Sequence, residues 1–466
     1  MSRHPNTARR RFLQTGTACA AAALAPWAQA NDEVPPPPQR QPLLLRNAVL
    51  HTVSGPVIAG GQMLVEKGRI VALAGPGQAL PTPSAAPLVL DLGGRHVYPG
   101  FIAANTVLGL VEVNAVRATV DVAEVGTVNP NARAVVAVNP DSEVLSVTRS
   151  NGVLAALTVP QTPRGGGIAG RSAVLQLDGW TWEDMALKAE AGVHVHLPSL
   201  RQHADLLRPP LDTLAEDLRR FAQGRLREVE QAFEAARAYG QAQGQARAQQ
   251  ATLPRDERWE ALQPALRREV PVFVHAHELP QLRWALGLAE RQGLKLVIVG
   301  GADAGHLLDL LRERQVPVVV AGVNELPMRR DDDVDQRFTL PARLHAAGVR
   351  FCIARAGGAT TAATNERNLP YEAAAAMAYG LPADEALKAI TLYPAQILGV
   401  ADRLGALAPG LLASFFVADG DPLQTTTQVQ RLFVQGREVS GDNQQRRLAE
   451  KYRQKYEQLK AAGAGG

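Results

Sequence analysis

The chain alternates between two rhythms of apolar residues. Residues 43–53, 61–73 and 88–92 are short runs rich in Leu, Val and Ile, each bounded by Gly or Pro. They read as strands of a small sandwich, with Lys67-Gly68 at the tight turn of a hairpin. From Tyr98 the rhythm changes. Near-continuous apolar runs appear at 152–160 (GVLAALTVP), 192–197 (GVHVHL), 271–277 (PVFVHAH), 294–300 (LKLVIVG), 316–322 (VPVVVAG) and 349–354 (VRFCIA). Such runs suit strands buried on both faces. Segments of helical period lie between them at 279–292, 304–314 and 340–347. This alternation predicts a closed parallel barrel or a doubly wound sheet. No G-x-G-x-x-G follows a first strand, which weighs against dinucleotide binding. A long helix is predicted over 214–239, and its polar continuation QAQGQARAQQ is expected to fray or loop out. Runs at 413–418 and 429–434 are expected to complete the sandwich. Residues 443–462 read as a charged, solvated surface helix.

The ends of the chain narrow its class. Arg9, Arg10 and Arg11 precede Phe12 and Leu13, an Ala-rich run follows, and Ala28-Gln29-Ala30 closes it. A basic region, an apolar region and a small-x-small site make an export signal, and the arginine order resembles the twin-arginine type. Residues 1–30 are therefore expected to be cleaved after Ala30, placing the protein in the periplasm or outside the cell. Residues 31–41 carry four consecutive prolines and read as an extended linker. The net charge of the 466 residues is +4. The expected cleavage removes four arginines and no acid, so the remainder is balanced and shows no nucleic-acid footprint. Cys352 is then the single remaining thiol, so no internal disulfide is expected. Beyond the signal no apolar run approaches the roughly 18 residues a membrane span requires.

Candidate chemistry rests on a few residues. His194 and His196 are two apart, as are His275 and His277. On a strand, residues i and i+2 share one face. If both strands turn these faces inward, four imidazoles approach one another. They would then hold one zinc or similar divalent ion, or serve as pocket or core residues held by hydrogen bonds. Gly165 to Gly170 (GGGIAG) lacks the Gly-Lys-Ser/Thr ending of a phosphate loop and is expected to be a flexible loop at the site. Arg329 to Asp335 (RRDDDVD) reads as a solvated loop on the ligand-binding face.

Two long stretches carry a family resemblance. YPGFIAANTVLG, from Tyr98, resembles the opening barrel strand of the amidohydrolase superfamily, Pro-Gly-Phe/Leu-Ile-Asp-x-His-x-His. TLYPAQILGVADRLGALAPGLLASFFVADGDP, from Thr391, resembles its closing signature. HAHELPQLRWALGLAERQGLKLVIV is similar to the imidazolonepropionase-related branch. The resemblance implies a (β/α)8 TIM barrel over 98–399. A small β-sandwich would be formed by the N- and C-terminal segments 42–97 and 400–440, followed by a C-terminal helix and tail at 441–466. It also implies metal-dependent hydrolysis of C–N bonds, in cyclic amides or dipeptides. The implied ligand positions are mostly degenerate here. Asn105 and Val107 stand for two histidines on the first strand, Gly300 for a histidine on the sixth, and Ala356 for an aspartate on the eighth, with Ala103 for the preceding aspartate. His275 keeps the histidine of strand five. Two readings follow: a hydrolase with an altered or reduced metal site, or an inactive relative that binds a small molecule in the barrel mouth or pairs with an active paralogue.

Overall fold

The computed structural model describes residues 34–163, 165–200, 212–356 and 363–463. The expected export signal, 1–30, lies outside the described residues. The first strands are β1 (Leu43–Leu50), β2 (Ile58–Glu66), β3 (Arg69–Ala74), β4 (Leu88–Asp91) and β5 (His96–Pro99). The next eight are β6 (Phe101–Thr106), β7 (Val153–Thr158), β8 (Gly167–Gln176), β9 (Ala186–His196), β10 (Val272–Ala276), β11 (Leu296–Gly300), β12 (Val318–Ala321) and β13 (Phe351–Ala354). The last three are β14 (Phe415–Ala418), β15 (Val429–Val434) and β16 (Arg437–Val439).

Strands from both halves of the chain share one sheet, in the order β16-β15-β14-β5-β1-β2-β3, with β4 against β1. The junction is β14 antiparallel to β5, Phe415 opposite Pro99. Leu45, Leu50, Met63, Val97, Phe415 and Phe433 build a common core beneath it. The expected sandwich of N- and C-terminal segments is thus present.

Strands β6 to β13 form the barrel. Alternation decides what each face does. On β10, Val272, Val274 and Ala276 face the surrounding helices, while Phe273 joins Val297, Val299, Val319 and Cys352 in the interior. The helix Leu279–Gln292 shows how the sequence sets its ends. Glu278 and Gln281 form a reciprocal cap at its start, and Gly293 closes it at φ 64°. Ladder bonds do not run directly from β13 to β6. Instead Ile102 N donates to Ile390 O and Ile353 N to Ala389 O, each at 2.9 Å, so residues 389–390 bridge the seam.

The expected eight-stranded barrel is present, and two expectations about its parts are corrected. Within it β8 runs antiparallel to both β7 and β9. Four residues of the glycine-rich segment expected as a loop, Gly167 to Gly170, are the start of this strand, so the sequence signal there was packing. A Cβ at Gly166 would lie 2.4 Å from His196 O, and one at Gly167 would lie 2.1 Å from Thr127 O. Only glycine permits that approach. The long helix also continues past 239 and spans Asp212–Ala248. It pairs with Glu257–Leu266, where Gln263 Nε2 donates to Ala236 O at 2.8 Å, and Gln243 Nε2 ties the polar continuation to Pro254 O at 3.1 Å.

Candidate functional site

Reactive groups of a β/α barrel gather at the C-terminal ends of its strands. β9 and β10 bring the predicted histidines together there. His196 lies opposite His275 in register, and His194 opposite Phe273. His194 Nδ1 and His275 Nε2 share a hydrogen bond of 2.9 Å. His196 stacks on His275 with centroids 3.8 Å apart, and His194 stacks on Phe273 at 4.7 Å. His196 Nε2 donates to Pro160 O at 3.1 Å.

His277, just past β10, is held by its backbone. Its N–H and that of Glu278 donate to Gln281 Oε1 at 2.8 and 2.9 Å. Its carbonyl accepts from Asp303 N at 2.9 Å. The Glu278 carboxylate in turn accepts from Ser199 Oγ at 2.5 Å and Leu200 N at 2.9 Å, which fastens the loop after β9 to the loop after β10. The His277 ring fills the space beside Gly300. A Cβ at that glycine would meet its ring atoms at 2.6 to 2.8 Å.

All four imidazoles are neutral at neutral pH. Burial lowers His196 and His277 to about 4, with Arg337 adding to the effect on His277. Burial, then neighbouring imidazoles, pushes His194 and His275 well below the ordinary histidine value. His194 Nε2 and His277 Nδ1 are buried without a hydrogen-bond partner.

The positions where the resemblance implied further metal ligands are packed or occupied by other chemistry. Asn105 is buried near the end of β6, where the register against β7 slips between Ala103 and Thr106. Val107 packs in the apolar shell with Leu108 and Val111. Past β13, Arg355 stands next to Ala356 and forms an ion pair with Glu372, whose side chain is fully buried. Glu372 also accepts from Asn324 N at 2.9 Å.

Past β11, the Asp303 carboxylate receives both Nη atoms of Arg329 at 2.9 and 2.7 Å and Leu279 N at 2.8 Å. Arg329 Nε also meets Asp332 at 2.5 Å. Arg329 and Asp332 thus tie one end of this segment to the barrel, because Asp303 supplies a buried anion for Arg329, while Arg330, Asp331, Asp333, Val334 and Asp335 are exposed as expected of a solvated loop. Arg337 reaches Gly322 O at 3.4 Å and leaves Nε unpartnered.

Sequence reasoning missed Asp303, Arg337, Glu366 and Glu372. Each is a single charge in a helical or glycine-rich stretch, and only the fold brings them to one end of the barrel. Glu366 stands out. It is fully buried at the base of the barrel mouth. Burial pushes its pKa up to about 8, with Glu372 adding to the rise, while the Thr106 hydroxyl and Arg355 oppose it.

Among the described residues no three His, Cys, Asp or Glu side chains are placed to hold a metal ion, so these residues alone do not assemble the donor set of a binuclear centre. Residues 201–211, next after the loop that follows β9, and 357–362, next after Ala356, lie outside them. A groove of about 430 Å³ opens beside the histidines, lined by Gly165, Gly166, His196, Ser199, Leu218 and Phe221. A second cavity of about 870 Å³ lies at the opposite end of the barrel, around Lys295, Pro317 and Arg350. It faces away from the histidines and contributes nothing to them.

Residues 178–439, more than half of the chain, match the model of the Amidohydrolase family. Amidohydrolase tasK of Hapsidospora irregularis is 23% identical over 443 residues, covering 85% of this chain and 43% of that protein. The chain thus spans less than half the length of this curated relative. The crystal structure of an amidohydrolase from Thermotoga maritima MSB8 superimposes with a TM-score of 0.73 at 25% identity, covering 85% of this chain and 99% of that one. A prolidase complexed with N-methylphosphonate-L-proline shares the fold at a TM-score of 0.50 and 18% identity, covering 86% and 99%.

Proposed function

The chain belongs to the amidohydrolase family, and on that premise we propose that it is a small-molecule-binding member without the binuclear metal-activated water. The observation that carries this reading is the mutual engagement of the histidines. His194 and His275 hydrogen-bond to each other and His196 to Pro160 O, so their lone pairs do not converge on one point. Zinc needs three or more donors in one tight shell, and an arginine at the end of β13 opposes a cation there. The ligand is a small cyclic amide or dipeptide, held in the groove beside His196. That groove falls within the volume range of small-molecule sites. Thr162, His196 and Ser199 are the polar side chains that line it and would face the amide group of such a ligand.

One observation favours a second reading, a hydrolase holding a single divalent ion. His194 Nε2 and His277 Nδ1 are buried and unpartnered, and both rings are neutral, the state in which imidazole ligates. Elemental analysis after purification without chelators separates the two. The first reading expects less than one equivalent of any transition metal, together with a thermal shift on adding dipeptides or cyclic amides. One equivalent lost in a His275→Ala/His277→Ala double variant moves the assignment to the single-ion hydrolase. Two tightly held equivalents overturn both.

A further inference from the structure

The helix Gln444–Gly463 closes the described chain, and residues 444–461 are all exposed. It is anchored only at its start. Asn443 is buried and caps Arg446 N at 3.0 Å, Arg446 reaches Ser150 O at 3.3 Å, and Arg447 pairs with Asp442 at 3.3 Å. Beyond that turn the helix stands on the surface with an apolar face uncovered. Leu448, Tyr452, Tyr456 and Leu459 are 43%, 50%, 58% and 56% exposed. At about 100° per residue, these four fall within an arc of about 80°.

The charges are arranged around that arc in a fixed order. Lys455 and Lys460 lie on its two flanks, with Lys451 and Arg453 next to them. Glu450 and Glu457 fall on the opposite side, where Glu450 pairs with Arg453. Lys451 and Lys460 have no carboxylate within ion-pair distance among the described residues. Lys455 lies over the Tyr452 ring, 5.7 Å from its centroid, its stem along the apolar face. Between 444 and 463 there are six basic residues and two acidic ones.

We propose that this helix lies on an anionic lipid surface, with the Leu448–Leu459 stripe entering the headgroup boundary and Lys451, Lys455 and Lys460 meeting lipid phosphates. Charge complementarity selects this occupant. An antiparallel second copy would bring the lysine-flanked faces together and repel. A lipid surface accepts flanking lysines and keeps both glutamates in water. Tyrosine is also at home at that depth.

The test is co-sedimentation of the full chain with vesicles of phosphatidylglycerol and phosphatidylcholine, against pure phosphatidylcholine. Binding is expected to the anionic vesicles only and to fall at least tenfold in high salt. It should also fall at least tenfold in Tyr452→Ser/Leu459→Ser, and likewise in Lys451→Gln/Lys455→Gln/Lys460→Gln. Because these side chains are exposed, both variants should keep the parent's unfolding midpoint, which separates lost docking from lost folding. Absence of binding to anionic vesicles overturns the proposal. So does a solution dimer that Tyr452→Ser/Leu459→Ser abolishes, or a soluble acidic protein that competes the helix off vesicles completely.

Discussion

Replacing Glu366 with glutamine should change how the stability of the protein depends on pH. The carboxyl is fully buried, and burial pushes its pKa up to about 8 against 4.5 for the free group. Between those values the folded protein keeps the proton and the unfolded chain has lost it. The native state then binds more protons, so stability falls as pH rises through the window. The slope is about 1.4 kcal/mol per pH unit, and across the window the loss is on the order of 5 kcal/mol. Below the lower value both states are protonated and this contribution is constant. Glutamine has nearly the same shape and no titration, so Glu366→Gln removes the slope and leaves a pH-independent offset. Urea unfolding of both proteins at several pH values from about 5 to about 8 reads the difference directly. The parent should lose stability relative to the variant at every step. Curves that stay parallel would refute the reasoning, because they would mean that the Glu366 carboxyl has the same affinity for a proton in both states. Arg355 and Glu372 face the same region, so the comparison should be repeated in Glu372→Gln to confirm that Glu366 carries the slope.

Three further outcomes follow from the same structure. Arg355→Met leaves the fully buried Glu372 without its cation and should cost about 3–5 kcal/mol in urea unfolding; adding Glu372→Gln should recover part of that loss, and no recovery would mean the pair is not the cause. Gly300→His should restore no metal and should destabilise the fold by a few kcal/mol, since φ is +105° there and the His277 ring already fills the space; a stable variant that holds an added equivalent of zinc would contradict this. The export proposal predicts that changing Arg9, Arg10 and Arg11 to Lys traps the protein in the cytoplasm, and an unchanged periplasmic yield would refute it.

The fold was legible wherever one period dominated a segment. The doubly buried strands at 271–277 and 316–322 had no competing reading, because a run of apolar residues bounded by Gly and Pro has one stable place in a barrel. The antiparallel β8 was not legible. Its glycines looked like loop glycines, and their real reason, the approach of Thr127 O and His196 O, is a tertiary contact that leaves no local signal. The helix past residue 239 was missed for a related reason. Its polar, low-complexity composition is indifferent to helix or coil, and tertiary contacts hold it: Gly240 lies against Gln263 of the neighbouring helix, and Gln243 bonds Pro254 O. In the site, strand periodicity brought the four histidines to one place. It could not show that they would bond to one another, since that depends on the register of β9 against β10.

The residues at the barrel mouth form one connected set. Gly300 allows His277 to swing into the space where a side chain on β11 would sit. That placement is fixed by Asp303 N on the His277 carbonyl, and Asp303 is in turn neutralised by Arg329. At β13 Arg355 would oppose any cation in the mouth, and Glu372 answers it with a buried carboxylate. A bound divalent ion would have to displace one of these contacts at each strand. It would have to strip a proton or a partner from His275, stand off the charge of Arg355, and find a donor at the end of β6, where Asn105 is neutral and Val107 has none. Each requirement costs free energy that the two unpartnered imidazole nitrogens, on His194 and His277, do not return. The exchange is therefore cooperative. Adding one ligand, as in Gly300→His, breaks a contact of the present arrangement without completing a donor set, so such single variants should lose stability and gain no metal.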